Sequence, residues 1–194
     1  MPLDPLPAAT AEAEMIAATF APREASSSEG VSNNSGTHTI TLRKAEYRDL
    51  GQINTLIAAA MDTWRLSKRV KRLSLPLYQY HAQDLEHLQV IVAETEATTI
   101  VGIAAIEPAD ASEYPRGQNA ALLHGIYVDP IRHRYGIGTR LLRYMQATAS
   151  SRGYDGLLVK ANPEARTFFE ARAFEKLPIE DPSRDYPYRY WKLL

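Results

Sequence analysis

One contiguous stretch, residues 120–161, limits what this chain can fold into. Ala120 to Val128 is a nine-residue run of mostly apolar side chains, closed by Asp129-Pro130. A run of that length and composition reads as a buried strand. His133-Arg134-Tyr135-Gly136-Ile137-Gly138 follows. Ile137, Leu141, Leu142, Met145 and Ala149 then recur at helical spacing until Gly153, so a helix begins at the glycines. Gly156 to Ala161, with Leu157, Leu158 and Val159, is a second buried-looking strand. A strand, a helix and a second buried strand in that order call for a parallel crossover.

The glycine loop is the first candidate for chemistry. Glycine permits positive φ and close approach of the backbone to a ligand. The free amides of the helix start, with its dipole, then favour an anion such as phosphate. A Walker A loop needs Gly-Lys-Ser/Thr, whereas this loop continues Gly138-Thr139-Arg140. A dinucleotide fingerprint needs a third glycine three residues on, and Leu141 stands there. Two glycines in an ordinary loop are the remaining reading from the residues alone.

The rest of the chain supplies the surrounding elements. Thr39 to Glu46 alternates as a first strand. Asp49 and Gln52 have capping-box spacing, and Leu50, Ile53, Ile57, Ala60, Met61 and Trp64 predict a helix to about Trp64. A basic stretch holds Arg65, Lys68, Arg69, Lys71 and Arg72. A second helix is expected after Pro76, on Tyr78, Ala82, Leu85 and Leu88. Residues 89–95 and 98–107 read as a hairpin, followed by a polar loop to Asn119. Pro163 opens a helix to about Arg172, and 174–179 and 186–193 close the chain as strands. About seven strands and four helices in this order predict an α/β (α+β) domain on a mixed sheet. Parallel crossovers are expected at the helices 137–152 and 163–172.

Composition removes several functions. There is no cysteine, so disulfides, thiolate nucleophiles and Cys-held metals are excluded. His81 and His87 lack metal-ligand spacing, and no metal is expected. No apolar run is long enough to span a bilayer. Residues 1–37 hold five acids against the single base Arg23. They carry −4, which leaves +3 on 38–194, since the whole chain carries −1. With four prolines and a Ser/Asn-rich end, 1–37 reads as a disordered acidic tail, Ala8 to Phe20 having the composition of a short helix. Residues 38–194 form the folded domain. The expected location is cytoplasmic, since neither a secretory nor a mitochondrial leader pattern is present. Nucleic acid is not an expected partner at this charge.

Two motif blocks raise the glycine loop above an ordinary loop. Ile126-Tyr127-Val128-Asp129-Pro130 with His133-x-x-Gly136-x-Gly138, and Asn162-x-x-Ala165-x-x-Phe168-Phe169, together resemble the GNAT family of acyl-CoA-dependent N-acetyltransferases. The likeness covers about 39–194. It implies a mixed sheet splayed between its fourth and fifth strands, here 120–128 and 156–161. It implies acetyl-CoA as co-substrate, with pantetheine on the backbone of Ile126 and Val128 beside Tyr127. Pyrophosphate would lie on the loop from His133 through Arg134, Tyr135, Gly136, Ile137 and Gly138 to Thr139, and Asn162 would meet the pantetheine arm. The family often carries at the position of Phe169 a tyrosine that protonates the leaving thiolate. Phe169 has no hydroxyl, and Tyr186, Tyr188 and Tyr190 are the substitutes, unless they only pack.

Acetyl transfer needs a neutral amine. For a lysine-like amine, deprotonation at pH 7 costs about 4.6 kcal/mol. His124 is the expected general base, and Glu107, at the end of the preceding strand, the second candidate. His124 lies two residues before Ile126, so period two places both on one face. The other readings are a hydrogen-bonded sheet histidine and a solvated strand end. The likeness implies a small-molecule or protein amine as acceptor, entering beside the basic stretch, which otherwise is a solvated helix face. A homodimer is left open. The alternative function is a non-catalytic acyl-CoA-binding sensor or scaffold; a cofactor-free α/β domain is the third.

Overall fold

A computed structural model describes residues 39–183 and 185–194. The expected acidic tail and the helix at Ala8 to Phe20 lie outside the described residues. The elements run β1 (Ile40–Lys44), α1 (Leu50–Asp62), α2 (Lys68–Tyr78), α3 (Ala82–His87), β2 (Gln89–Thr95), β3 (Ile100–Pro108), β4 (Ala120–Val128), α4 (Ile137–Ser151), β5 (Gly156–Lys160), α5 (Arg166–Glu170), β6 (Glu175–Lys176) and β7 (Arg189–Leu193). They build one seven-stranded sheet in the order β1-β2-β3-β4-β5-β7-β6. Only β4 and β5 pair in parallel, as the crossover through α4 requires. β6 has the same direction as β5 but lies beyond β7, which inserts antiparallel between them.

The central strands are apolar on both faces because both faces are covered. Ile91 and Ala93 of β2 pack with Leu141, Met145 and Phe169 beneath α4 and α5. Val90 and Val92 point the other way, to Ile53, Ile57 and Met61 of α1. A smaller cluster joins Ala120, Leu158 and Trp191, with Tyr114 of the β3–β4 loop stacked on the indole.

Several elements differ from the expectations. The basic stretch is itself helical. Ser67 caps α2 by accepting from the Val70 amide, and Pro76 sits within its last turn. The chain then breaks at Gln79 and restarts as α3, so two helices stand where one was expected. The capping box is one turn early. Asp49 accepts from the Glu46 amide (2.8 Å), while Gln52 accepts from the Ile100 amide (3.0 Å) and so reaches the β2–β3 turn. β6 is cut to two residues and β7 starts three residues late. Pro178 and Pro187 remove the ladder donors there.

The first strand is locked by charge. Arg43 donates to both oxygens of Asp49 (2.6 and 3.0 Å) and both oxygens of Glu94 (2.7 and 2.9 Å). The guanidinium holds both carboxyls below their ordinary range, chiefly by these hydrogen bonds. A depressed folded-state pKa stabilises the fold above the unfolded-state value and loses that contribution as pH falls through the folded one. Stability should therefore drop in acid below about pH 4. Asp49→Asn should cost about 2 kcal/mol at neutral pH and flatten the acid dependence. Urea unfolding from pH 3 to 7 checks both.

Candidate active site

β4 and β5 pair only from Ala120↔Gly156 to Leu123↔Val159. Beyond Leu123, β4 keeps its partner β3 but has none on the β5 side. The sheet is therefore splayed between its fourth and fifth strands. Helix α4 starts at the open end. Its cap, Gly136, has φ +78° and no side-chain cap hydrogen bond. The Arg140 amide makes the first helical bond, to the Gly136 carbonyl (3.0 Å). The amides of Ile137, Gly138 and Thr139 are thus the free donors of the helix start.

Gly138 and Thr139 border a cavity of about 420 Å³, lined also by Arg134, Gly136, Thr167, Phe168, Ala171 and Arg172. Gly138 lines the cavity without being required there by packing. It has no positive φ, and a Cβ there would meet Phe168 and Val128 at an ordinary 3.6 Å. Packing does not demand glycine, although helix propensity disfavours it.

Arg172 was not anticipated from sequence. Its guanidinium lies 3.8 Å over the Phe168 ring and donates to the Phe168 carbonyl (2.7 Å) and Thr139 Oγ1 (2.6 Å). Among the described residues it has no carboxylate partner, and its Nε is buried without an acceptor. Burial first, then the charge of Arg143, lowers its pKa. A cation held against a second cation raises the positive potential where the helix start already favours an anion. The (i, i+4) pair Phe168–Arg172 was the sequence signal available. Its partner Thr139 is 33 residues away.

The other expected cofactor residues divide. Arg134 lines the cavity and holds φ +73°. Tyr135 is exposed and does not line it, and neither does Ile137, whose side chain is buried against Gly102. His133 turns back, its Nε2 3.1 Å from the Val128 carbonyl, and pins the loop to β4. Asn162 is buried and its Oδ1 accepts from the Glu164 amide (2.9 Å), capping the turn after β5. Phe169 is fully buried between Phe168 and Phe174 in the core. Ile126 packs under α4, Tyr127 on the opposite face.

His124 is on the other face from the one expected. The register slips between Ala105↔Gly125 and Ile106↔Leu123, so His124 is the extra residue of a β-bulge. The bulge breaks period two. His124 turns toward Tyr80 (ring centroids 6.4 Å apart), on the side of Tyr127 and away from Ile126. A Cβ at Gly125 would stand 2.6 Å from the Tyr127 ring, so that ring lies over the glycine of the bulge. The same bulge brings His124 Nε2 to 3.3 Å from Glu107 Oε1. The two expected bases are therefore one pair, half-exposed at the point where β4 and β5 part.

Of the tyrosines considered as donors, Tyr190 gives its hydroxyl to Glu170 (2.8 Å), and Tyr188 lies between Arg166 and Lys176. Tyr186 donates to the carbonyl of Ala161 (2.8 Å), next to Asn162. Tyr78, which the sequence did not single out, has a buried hydroxyl with no partner among the described residues. Burial pushes both the Tyr78 and Tyr186 phenols well up, and Tyr186 adds to the effect on Tyr78.

The sequence model of the Acetyltransferase (GNAT) family matches residues 46–174. The chain belongs to this family. No curated protein matches it significantly. Among solved structures, the PaiA N-acetyltransferase from Thermoplasma acidophilum in complex with coenzyme A is 14% identical with a TM-score of 0.65, over 80% of this chain and 99% of that one. A GNAT family acetyltransferase from Brucella melitensis in complex with acetyl-CoA is 21% identical, TM-score 0.56, over 81% and 89%. A GCN5-related N-acetyltransferase from Rhodopseudomonas palustris is 19% identical, TM-score 0.62, over 80% and 96%. At these identities the likeness establishes the fold. This GNAT acetyltransferase has, among its described residues, no group of side chains able to hold a metal and no helix long and apolar enough to cross a membrane.

Proposed function

We propose that this acetyltransferase moves an acetyl group from acetyl-CoA to a primary amine, on a small molecule or a protein, by direct attack in a ternary complex. The observation that carries the reading is the splay, with a donor-lined cavity on one side and the His124–Glu107 pair at its apex. The free amides at Ile137, Gly138 and Thr139, with Arg134 and Arg172, fit a pyrophosphate. Bound there, acetyl-CoA would supply the thioester carbonyl that the amine attacks.

The chain's own residues then divide the work. With Glu107 ionised, its carboxylate accepts the Nε2 hydrogen of His124 and orients the ring. Nδ1 is left with the lone pair that takes the proton of the incoming ammonium. Backbone amides of β4 beyond Leu123, free on the β5 side, suit the developing oxyanion. No covalent enzyme intermediate is needed.

Phe169 is confined to the core and cannot donate to the leaving thiolate. Tyr78 is the phenol whose hydroxyl is buried and uncommitted. Tyr78→Phe removes no hydrogen bond from the fold, so the melting temperature should hold within about 2 °C. Turnover should fall about tenfold or more if that hydroxyl serves the reaction. Thermal melts beside a thiol-release assay check both, and unchanged turnover assigns the proton to water.

Calorimetric titration of acetyl-CoA, followed by thiol release over a panel of amines, tests the whole reading. Binding with no thiol release for any amine would favour the second reading, a non-catalytic acyl-CoA sensor or scaffold, on the ground of Phe169. No binding would remove both.

A further inference from the structure

Helix α2 carries an apolar stripe that nothing in the described chain covers. Val70, Leu73 and Leu77 are 42%, 63% and 61% exposed. They stand at i, i+3 and i+7, so they form one line along a helix of about 16 Å. At 100° per residue, Arg69 falls on one flank of that line, Arg72 further round the same side, and Lys68 nearly opposite the line. Tyr78, with the half-buried Lys71, Ser74 and Leu75, falls on the other flank, against the protein body. Lys71 spends its ammonium on the Asp62 carbonyl. Lys68, Arg69 and Arg72 have no carboxylate partner among the described residues.

The result is a ledge with a cationic rail on one side only. The ledge also leads somewhere. α2 ends at the buried Tyr78, and two residues later the Tyr80 ring stands against His124. Leaving three aliphatic side chains in water has no structural return, and the unneutralised cations beside them select the sign of a partner. A membrane-lying helix presents free cations on both flanks of its apolar face, whereas the cation on the body side of α2, Lys71, is tied to the Asp62 carbonyl.

We propose that α2 docks an acidic polypeptide segment bearing aliphatic side chains, and that this segment flanks the amine delivered to His124. The acceptor is then a protein lysine or terminal amine in an acidic, apolar context. The inference deepens the acetyl-transfer reading and rests on it for the role of the bound segment, while the docking itself is measured without catalysis.

The probe is a fluorescein-labelled 15-residue peptide with one central lysine, glutamates on one side and three leucines at i, i+3 and i+7. Its counterpart has glutamine for every glutamate. Anisotropy with the full chain should give binding about tenfold tighter for the acidic peptide, weakening with added salt. Arg69→Glu with Arg72→Glu, and separately Leu73→Ser with Leu77→Ser, should each weaken it about tenfold while acetyl-CoA titration is unchanged. These are exposed positions, so folding is not at stake. Equal binding of the two peptides, or binding indifferent to both variants, overturns the proposal. So does variant-sensitive sedimentation with phosphatidylserine vesicles without peptide binding, which makes the occupant a membrane. Self-association lost in the leucine variant also overturns it, the occupant then being a second copy. Peptide binding without thiol release, where small amines do release thiol, would overturn the delivery of the segment's amine to His124; no thiol release from any amine would instead sink the acetyl-transfer reading and leave the docking surface standing.

Discussion

Gly136→Glu should abolish measurable acetyl-CoA binding, a loss of at least about a hundredfold in affinity. Two causes add. Gly136 holds φ +78°, where a residue with a Cβ is strained by about 1 kcal/mol. The larger cause is charge. A carboxylate at the helix cap would face the pyrophosphate at the positive end of the dipole. Like charges about 4 Å apart repel by about 4 kcal/mol at an effective dielectric of about 20. Gly136→Ala separates the causes, because it keeps the strain without the charge and should retain most of the affinity. Gly138→Ala is the sharper companion. Its methyl has room in the protein, 3.6 Å from Phe168 and Val128. The free protein should therefore gain up to about 1 kcal/mol of stability from helix propensity. The same methyl intrudes on the ligand's approach, so acetyl-CoA should bind more weakly. Calorimetry and urea unfolding on one sample read the opposite signs. Equal affinity in Gly138→Ala would place the cofactor away from the helix start.

His124→Ala should lower kcat/KM for the acceptor about a hundredfold or more, the usual range for a lost general base, with acetyl-CoA affinity unchanged. The ring belongs to the half-exposed pair with Glu107, outside the cavity that α4 and α5 enclose. Its removal should therefore spare the cofactor side. Glu107→Gln separates charge from orientation. Its amide oxygen can still accept the Nε2 hydrogen and hold the ring, so the fall should be nearer tenfold. Glu107→Ala, which loses the acceptor, should approach the histidine variant. Steady-state kinetics with the acceptor varied at saturating acetyl-CoA gives the three numbers. Full activity in His124→Ala would assign the proton to a water chain and leave the pair as a hydrogen bond at a strand end.

The stretch 120–161 was legible because its information is local. Nine apolar residues, an Asp-Pro stop, two glycines and a 3.6-residue period are all read within one strand–loop–helix, and each acts through its own backbone. The free amides at Ile137, Gly138 and Thr139 follow from helix geometry alone, so an anion site could be expected before any fold was known. The order of the strands followed in large part for the same reason. The short and late last strands did not, because an edge strand's length depends on which donors its neighbour leaves, and Pro178 and Pro187 remove them.

The chemistry at the splay belonged to tertiary structure. One residue inserted at the β4 bulge sent His124 to the face opposite Ile126, and alternation within β4 carries no sign of that insertion. The register of β3 against β4 then made His124 and Glu107 one pair. Arg172 reaches Thr139 only because α5 packs beside α4 over 33 residues of chain. Sequence by itself determined the class of fold and the position of the glycine loop, since those rest on backbone conformation and short-range periodicity. Which side chains meet around that loop was decided by strand register and helix packing, which are set by contacts between residues far apart in the chain.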